Sequence, residues 1–382
     1  MAVLDSRWPE ELDPLMRRIV GMFGAAAAAL LLSACGPATL AEQWDGTSWT
    51  INPTDNPASW TYSTLVGVSC TAASACMALG TYETGSGSTA TGHPLSEQWN
   101  GTSWIVQPIS QGAFGVSCTS AAACTAVGSL GAERWDGTSW TVQTTPLPNP
   151  QATNLFAVSC ASATACTAVG DYLSSANNTY VSLVERWDGT SWFVQPTPNP
   201  AGSVGDSLSG VSCTSATACI AVGYYRDSAT NNAVPLAERW DGTSWTIQTT
   251  PNPAGSASTE LNGVSCTSAT VCTAVGYYNG NGTAVNSLQL VERWDGTSWT
   301  VQATPQQGSL LNGVSCTSAT ACAAVGSYMS SGNTIGPPLA EVWDGTSWTT
   351  QTIPNQPGKT SSALNAISCT SVSACAAVGN YN

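Results

Sequence analysis

The sequence predicts an all-β chain folded as a seven-bladed β-propeller with four-stranded blades. Three observations predict it. A cysteine-bearing half-unit and a tryptophan-bearing half-unit alternate along the chain, seven copies of each. Spacing inside each half is invariant, six residues between cysteines and five between tryptophans, and length varies only between halves. The repeats begin with a lone tryptophan half at 44–51 and end with a lone cysteine half at 367–381. Joined, these halves make a last blade from two N-terminal and two C-terminal strands, which leaves no open sheet edge.

Each half-unit reads as a hairpin. The cysteine half is clearest at 210–223, Gly-Val-Ser-Cys-Thr-Ser-Ala-Thr-Ala-Cys-Ile-Ala-Val-Gly. Its small residues suit crowded strands near the axis. Two cysteines six apart face each other across a turn, within disulfide reach. The pairs are Cys70/Cys76, Cys118/Cys124, Cys160/Cys166, Cys213/Cys219, Cys266/Cys272, Cys316/Cys322 and Cys369/Cys375. The tryptophan half is clearest at 290–302, Leu-Val-Glu-Arg-Trp-Asp-Gly-Thr-Ser-Trp-Thr-Val-Gln. Its bulk suits the wider outer strands, and Asp-Gly predicts a tight type I′ turn with both tryptophans on one sheet face. We letter the strands A to D from the axis outward. The A–B and C–D turns are short and share one face. The variable B–C and D–A loops share the other, where binding is expected.

The N-terminus reads as an export signal. Arg17-Arg18 precede an apolar run at 19–32, shorter than the roughly 20 residues a membrane span needs. Met16 makes a better start than Met1. The run ends in Leu32-Ser33-Ala34-Cys35-Gly36, which resembles the lipobox of bacterial lipoproteins. The resemblance implies cleavage before Cys35 and lipidation of its thiol. Residues 1–34 are then a signal peptide, 35–39 a short tether and 40–382 the propeller. The protein would sit on the outer face of the cell membrane through its lipid alone, or, without lipid, be secreted. The cysteine count of fifteen is odd. Giving Cys35 a separate role leaves fourteen for seven disulfides in an oxidising compartment.

Composition removes several functions. Nine basic residues against twenty-three acidic ones cannot build a phosphate-neutralising patch, so no nucleic-acid partner is expected. A single histidine, His93, excludes histidine triads and multi-histidine metal sites; it is expected on an exposed loop. The cysteine spacing is not that of a zinc site, and nothing points to a metal or cofactor.

The Trp-Asp-Gly-Thr-Ser-Trp loop resembles the Asp box of sialidase-like propellers, Asp-x-Gly-x-Thr-Trp, with one residue missing. The resemblance implies a structural role for Asp45, Asp136, Asp188, Asp241, Asp295 and Asp344, with Asn100 standing in once. Repeat length and topology are similar to kelch-type propellers, although the kelch Gly-Gly pair is absent. The Val-Ser-Cys and Trp-Asp-Gly signatures resemble those of actinobacterial secreted repeat proteins over about nine-tenths of the chain. That implies a fold and no particular activity.

The tryptophan pairs read as packing between blades rather than sugar platforms. The repeated acids Glu42, Glu97, Glu133, Glu185, Glu238, Glu292 and Glu341, with Arg134, Arg186, Arg239 and Arg293, read as ion pairs or hydrogen bonds to turns. After residue 35, six acids break the repeat: Asp55, Glu83, Asp171, Asp206, Asp227 and Glu260. All fall in B–C or D–A segments, and two converging there could serve a glycosidase. Tyr82, Tyr172, Tyr225, Tyr278, Tyr328 and Tyr381 each follow the strand-B glycine by two and form a candidate binding rim. The function expected is a rigid surface scaffold that binds a protein or envelope glycan through its variable loops. A polysaccharide hydrolase or lyase on that face, or a purely structural surface protein, are the alternatives.

Overall fold

The computed structural model describes residues 38–382 apart from 177, 281–286, 306–307 and 331–333. The expected signal segment, Cys35 and the start of the expected tether lie outside the described residues. Seven four-stranded antiparallel sheets form the ring. Blades 1 to 6 occupy 60–106, 115–143, 153–195, 203–248, 256–301 and 309–351. Blade 7 joins 362–381 to 38–52: strand Ala38–Trp44 pairs with Ala374–Tyr381, from Ala38 opposite Tyr381 to Trp44 opposite Cys375. The expected closure is present. The seven A strands line a central channel.

The disulfides follow from register. Cys70 lies directly opposite Cys76, Cys118 opposite Cys124, Cys160 opposite Cys166 and Cys213 opposite Cys219. Cys266 and Cys272, Cys316 and Cys322, and Cys369 and Cys375 are placed alike. All seven pairs are bonded, with Cα atoms 3.9–4.0 Å apart. The two cysteines of a pair differ in burial. Cys76, Cys124, Cys166, Cys219, Cys272, Cys322 and Cys375 are buried and belong to the hydrophobic clusters between blades. Their strand-A partners are only partly buried at the edges of those clusters. Strand B is flanked by A and C, so its sulfur is covered on both sides, and these seven cysteines are core side chains as well as cross-links.

The ring is closed by a hydrogen bond that the motif conceals. The serine before each first cysteine, in Val-Ser-Cys or once Ile367-Ser368-Cys369, accepts the backbone N–H of the next blade's first cysteine. Ser69, Ser117, Ser159, Ser212, Ser265, Ser315 and Ser368 hold Cys118, Cys160, Cys213, Cys266, Cys316, Cys369 and Cys70, each at 2.9 Å. Composition alone marks this serine only as a small filler. Behind this latch the strand-B glycine brings strands A and B together: a Cβ on Gly223 would collide with the Ser207 carbonyl, and one on Gly276 with that of Glu260.

The outer turn differs from expectation. Trp44 pairs with Trp49, so four residues intervene rather than the two of a type I′ turn. Within it only the glycine takes positive φ, 97° at Gly46. The aspartate organises the loop: Asp45 Oδ1 accepts the N–H groups of Thr47 and Ser48 at 2.8 Å and the Thr47 hydroxyl at 2.7 Å. These bonds hold its carboxyl down to about 2. Asp136, Asp188, Asp241, Asp295 and Asp344 repeat the arrangement, and Asn100 makes the same bonds as an amide.

The seams between blades are the core. Leu208, Val211, Ala221, Leu236, Trp240 and Trp245 of blade 4 pack on Val169 and Val184 of blade 3, and comparable clusters recur around the ring. The paired indoles sit 5.6–5.9 Å apart and most are buried, which leaves few faces for sugars to stack on.

The repeat glutamates depart from the expected ion pairs. Glu42, Glu238 and Glu292 are fully buried with neither carboxyl oxygen hydrogen-bonded; Glu97 and Glu185 are as deeply buried and are reached only by one backbone N–H each, of Asp55 and Leu147. Burial raises Glu42, Glu97, Glu238 and Glu292 to about 8 and Glu185 to about 7. A buried carboxylate with few or no partners is costly, so the four raised to about 8 keep the proton at neutral pH, while Glu185 is divided between its two forms there. Two blades supply partners: Gln111 N–H (2.6 Å) and the Ser110 hydroxyl (3.0 Å) donate to Glu133, and Gln289 Nε2 (3.0 Å) donates to Glu341. The arginines do reach turns, at Arg134, Arg186 and Arg293.

Candidate functional site

Repetition makes exceptions visible. Each rim tyrosine lies opposite a strand-A residue that carries a hydroxyl in most blades: Ser63, Thr153, Thr259, Ser309 and Ser362 face Tyr82, Tyr172, Tyr278, Tyr328 and Tyr381. In blade 4 the residue opposite Tyr225 is Asp206. The position after the strand-B glycine carries Thr81, Ser129, Tyr224, Tyr277, Ser327 and Asn380 in six blades. In blade 3 it is Asp171. Two neutral positions thus become acidic at one seam, between blades 3 and 4.

There a cavity of about 450 Å³ opens, within the size range of small-molecule sites. Asp171, Asp206 and Ser207 form its buried floor. Tyr180 and Val204, 45% and 44% exposed, and Tyr224 and Arg226 form its walls. Asp206 Oδ2 accepts the Ser182 N–H at 2.9 Å, the bond Ser63 makes to Thr39 N–H in the blade 7–blade 1 seam at 3.1 Å. The substitution keeps the structural bond and adds charge. Ser182 lies opposite Asp171, so both side chains face the same way. The Ser182 hydroxyl is buried with no partner. Asn154 Nδ2 donates to Asp171 at 3.1 Å and itself accepts from the Ser129 hydroxyl at 2.9 Å. Burial, and secondarily the Asp206 charge, raises the Asp171 pKa, against the hydrogen bonds from Asn154 and Ser207. A carboxyl whose charged form is disfavoured by burial thus shares the cavity with a second one that accepts a hydrogen bond, an arrangement suited to sugar hydroxyls.

A third unshared acid borders the site. Glu260 lies opposite Tyr277 and shares a hydrogen bond with it. Its charge, after burial, raises the pKa of Tyr224 and of Tyr277. The other acids lie apart. Asp227 caps its own loop through Ala229, Thr230 and the Thr230 hydroxyl. Asp55 is exposed in a loop whose backbone reaches Glu97, and Glu83 is the penultimate residue of strand Ala75–Thr84. Asp171, Asp206 and Glu260 stand within strands (Ala165–Ser174, Ser203–Ser215 and Ser256–Ser268), not in loops as expected.

Each rim tyrosine is half-buried against a seam cluster. Tyr82 stacks on His93 at 4.8 Å, which places that histidine in strand Thr91–Trp99, half-buried, rather than on a loop. Among the described residues no group of three or more metal-ligating side chains converges. Sequence reasoning missed Tyr180, Tyr224 and Arg226.

No protein-family model matches the chain, and no curated protein sequence does. Among solved structures it is similar to YCF48 from Cyanidioschyzon merolae, with a TM-score of 0.50 and 13% identity over 86% of this chain and 98% of that one. It is also similar to the extracellular domain of a hybrid two-component system from B. thetaiotaomicron, at 0.50 and 8% over 85% and 37%. A GH74 xyloglucanase from Xanthomonas campestris matches at 0.44 and 16%, over 67% of this chain and 40% of that one. The chain thus spans about two fifths of the xyloglucanase and just over a third of the two-component-system chain. At these identities the likeness concerns fold alone. The chain is a seven-bladed β-propeller.

Proposed function

We propose that the protein is an exported binding scaffold whose ligand, an envelope glycan, seats in the cavity between blades 3 and 4. One observation carries the reading: two ring positions that are neutral in other blades turn acidic side by side, where a cavity opens. Buried carboxyls and hydroxyls give directional contacts to sugar hydroxyls, and the exposed ring of Tyr180 gives a stacking face. Seven disulfides suit an oxidising compartment. Lipidation at Cys35 would hold the disc at the outer face of the membrane, and Cys35→Ala should then release it to the medium.

The test is a glycan array probed with residues 36–382 and with Asp206→Ser and Tyr180→Ala. Asp206→Ser restores the residue type of other blades, so the fold should persist. Each variant should bind about tenfold more weakly, the loss expected from one charged hydrogen bond or one stacking face. Equal binding by all three proteins, or no glycan bound by the parent, refutes the reading. The neighbouring Asp171 and Asp206 carboxyls also favour a second reading, glycoside hydrolysis. Turnover of a bound glycan that Asp171→Asn abolishes while binding persists would select it.

A further inference from the structure

A second exception lies on the opposite, short-turn face, at the seam between blades 6 and 7. At three seams an arginine of strand C fills one slot. Arg134, Arg186 and Arg293 lie over Trp187, Trp240 and Trp343 of the following blade, 4.9, 5.0 and 4.8 Å from the ring centroids. Each also donates to a turn carbonyl of that blade: Ala163 at 2.7 Å, Ala216 at 2.6 Å and Ala319 at 2.7 Å. Blade 6 carries Val342 in this position.

The result is a cavity of about 80 Å³ between Val342, Trp343, Trp44, Trp49 and Val372. Where Arg239 or Gln43 occupies the position, the corresponding cavities are about 10 and 20 Å³. Trp44 is half-buried, as is Trp343, which lines the same cavity although Arg293 covers one of its faces, whereas Trp187 and Trp240, beneath their arginines, are 8% and 6% exposed. Val372 stands at the mouth, 67% exposed. The Val372 carbonyl, counterpart of Ala163 and Ala216, accepts Trp44 Nε1 at 3.1 Å. That does not fill it. In blade 4 the Ala216 carbonyl accepts both Trp240 Nε1 at 3.3 Å and the Arg186 guanidinium.

We propose that this seam receives an external guanidinium, the arginine side chain of a partner polypeptide. The protein's own arginines define the fit: an indole face for the planar cation, a carbonyl for its N–H groups and apolar walls for its stem. The net charge of −14 draws cationic partners. The site is independent of the cavity between blades 3 and 4.

The experiment titrates residues 36–382 with N-acetyl-arginine amide and follows the indole N–H resonances. The Trp44 resonance should shift and saturate by about 50 mM, as a single cation–π contact with one hydrogen bond supports. The lysine analogue should bind about fivefold more weakly, lacking the planar fork. Val342→Arg fills the slot from within and should abolish the response. Val342→Gln, the residue type of the seam at Gln43, keeps the fold and should weaken it. No saturable shift, or the same response in wild type and Val342→Gln, overturns the proposal.

Discussion

Glu238 offers a sharp test of the buried glutamates. It lies in strand Ala233–Trp240, fully buried, with neither carboxyl oxygen hydrogen-bonded. Burial, with a smaller push from the Asp206 charge, raises it from 4.5 to about 8. Between those values the unfolded chain has lost this proton and the folded chain keeps it. Stability is therefore fullest below 4.5 and declines as pH rises toward 8, by about 1.4 kcal/mol per pH unit for each such group. Glu42, Glu97 and Glu292 act in the same sense. Glu238→Gln keeps the shape and cannot ionise. The amide adds a pH-independent offset, because its N–H groups also lack partners. The stability difference between wild type and variant should then change by about 3 kcal/mol from pH 5 to pH 7, the variant declining less steeply. Urea unfolding of disulfide-intact protein at pH 5, 6 and 7 measures it. Parallel profiles, or a wild type that gains stability with pH, would show Glu238 ionised in the folded state and refute the reasoning.

Two further outcomes test the ring. Ser212→Ala removes the acceptor of the half-buried Cys266 N–H and should cost about 1–2 kcal/mol, read as a lower urea midpoint at an unchanged m-value; an unmoved midpoint would show the latch to be incidental. Each short cysteine loop should contribute about 2.4 kcal/mol by loop-closure entropy. Reduction with a phosphine should therefore lower the thermal midpoint steeply, and a midpoint within a few degrees of the oxidised protein would refute that origin of stability.

The fold was legible because each unit carries its own register. A cysteine pair six apart and a tryptophan pair five apart fix which residues face each other in two hairpins, and the complementary ends fix the ring. Burial was less legible than pairing. Spacing shows that Cys166 faces Cys160, and only the order of strands in the blade shows that Cys166 is the one in the core. The outer turn departs from expectation because Asp-Gly is only the first half of the loop. Pairing Trp44 with Trp49 leaves four residues, and the Asp45 carboxylate, not backbone handedness, organises them. Burial of the glutamates was open to a period-two reading. Leu290, Glu292 and Trp294 alternate on one strand face, so a glutamate between two core residues must share their environment. The candidate site was half legible. Asp171 and Asp206 stood out as unshared acids, but their adjacency depends on which ring position each occupies. Tyr180 and Arg226 follow no repeat and gave no signal.

Both candidate sites are places where the repeat was altered without disturbing the ring, and there is a physical reason such places exist. Each blade packs only on its two neighbours, so stability is close to a sum over seams, and a change at one seam leaves the other six intact. Asp206 keeps the Ser182 hydrogen bond while adding a charge. Val342 gives up one cation–π contact, worth about 1 kcal/mol. The repeated seams therefore supply the reference state: what Ser63 or Arg186 does elsewhere states what Asp206 and Val342 no longer do. Most buried glutamates cannot be read this way, because the feature recurs around the ring and no seam differs from the rest. They belong to the stability of the propeller. The exceptions at the blade 3–4 and blade 6–7 seams, on opposite faces, are where selection for a ligand would leave a mark that selection for folding would not.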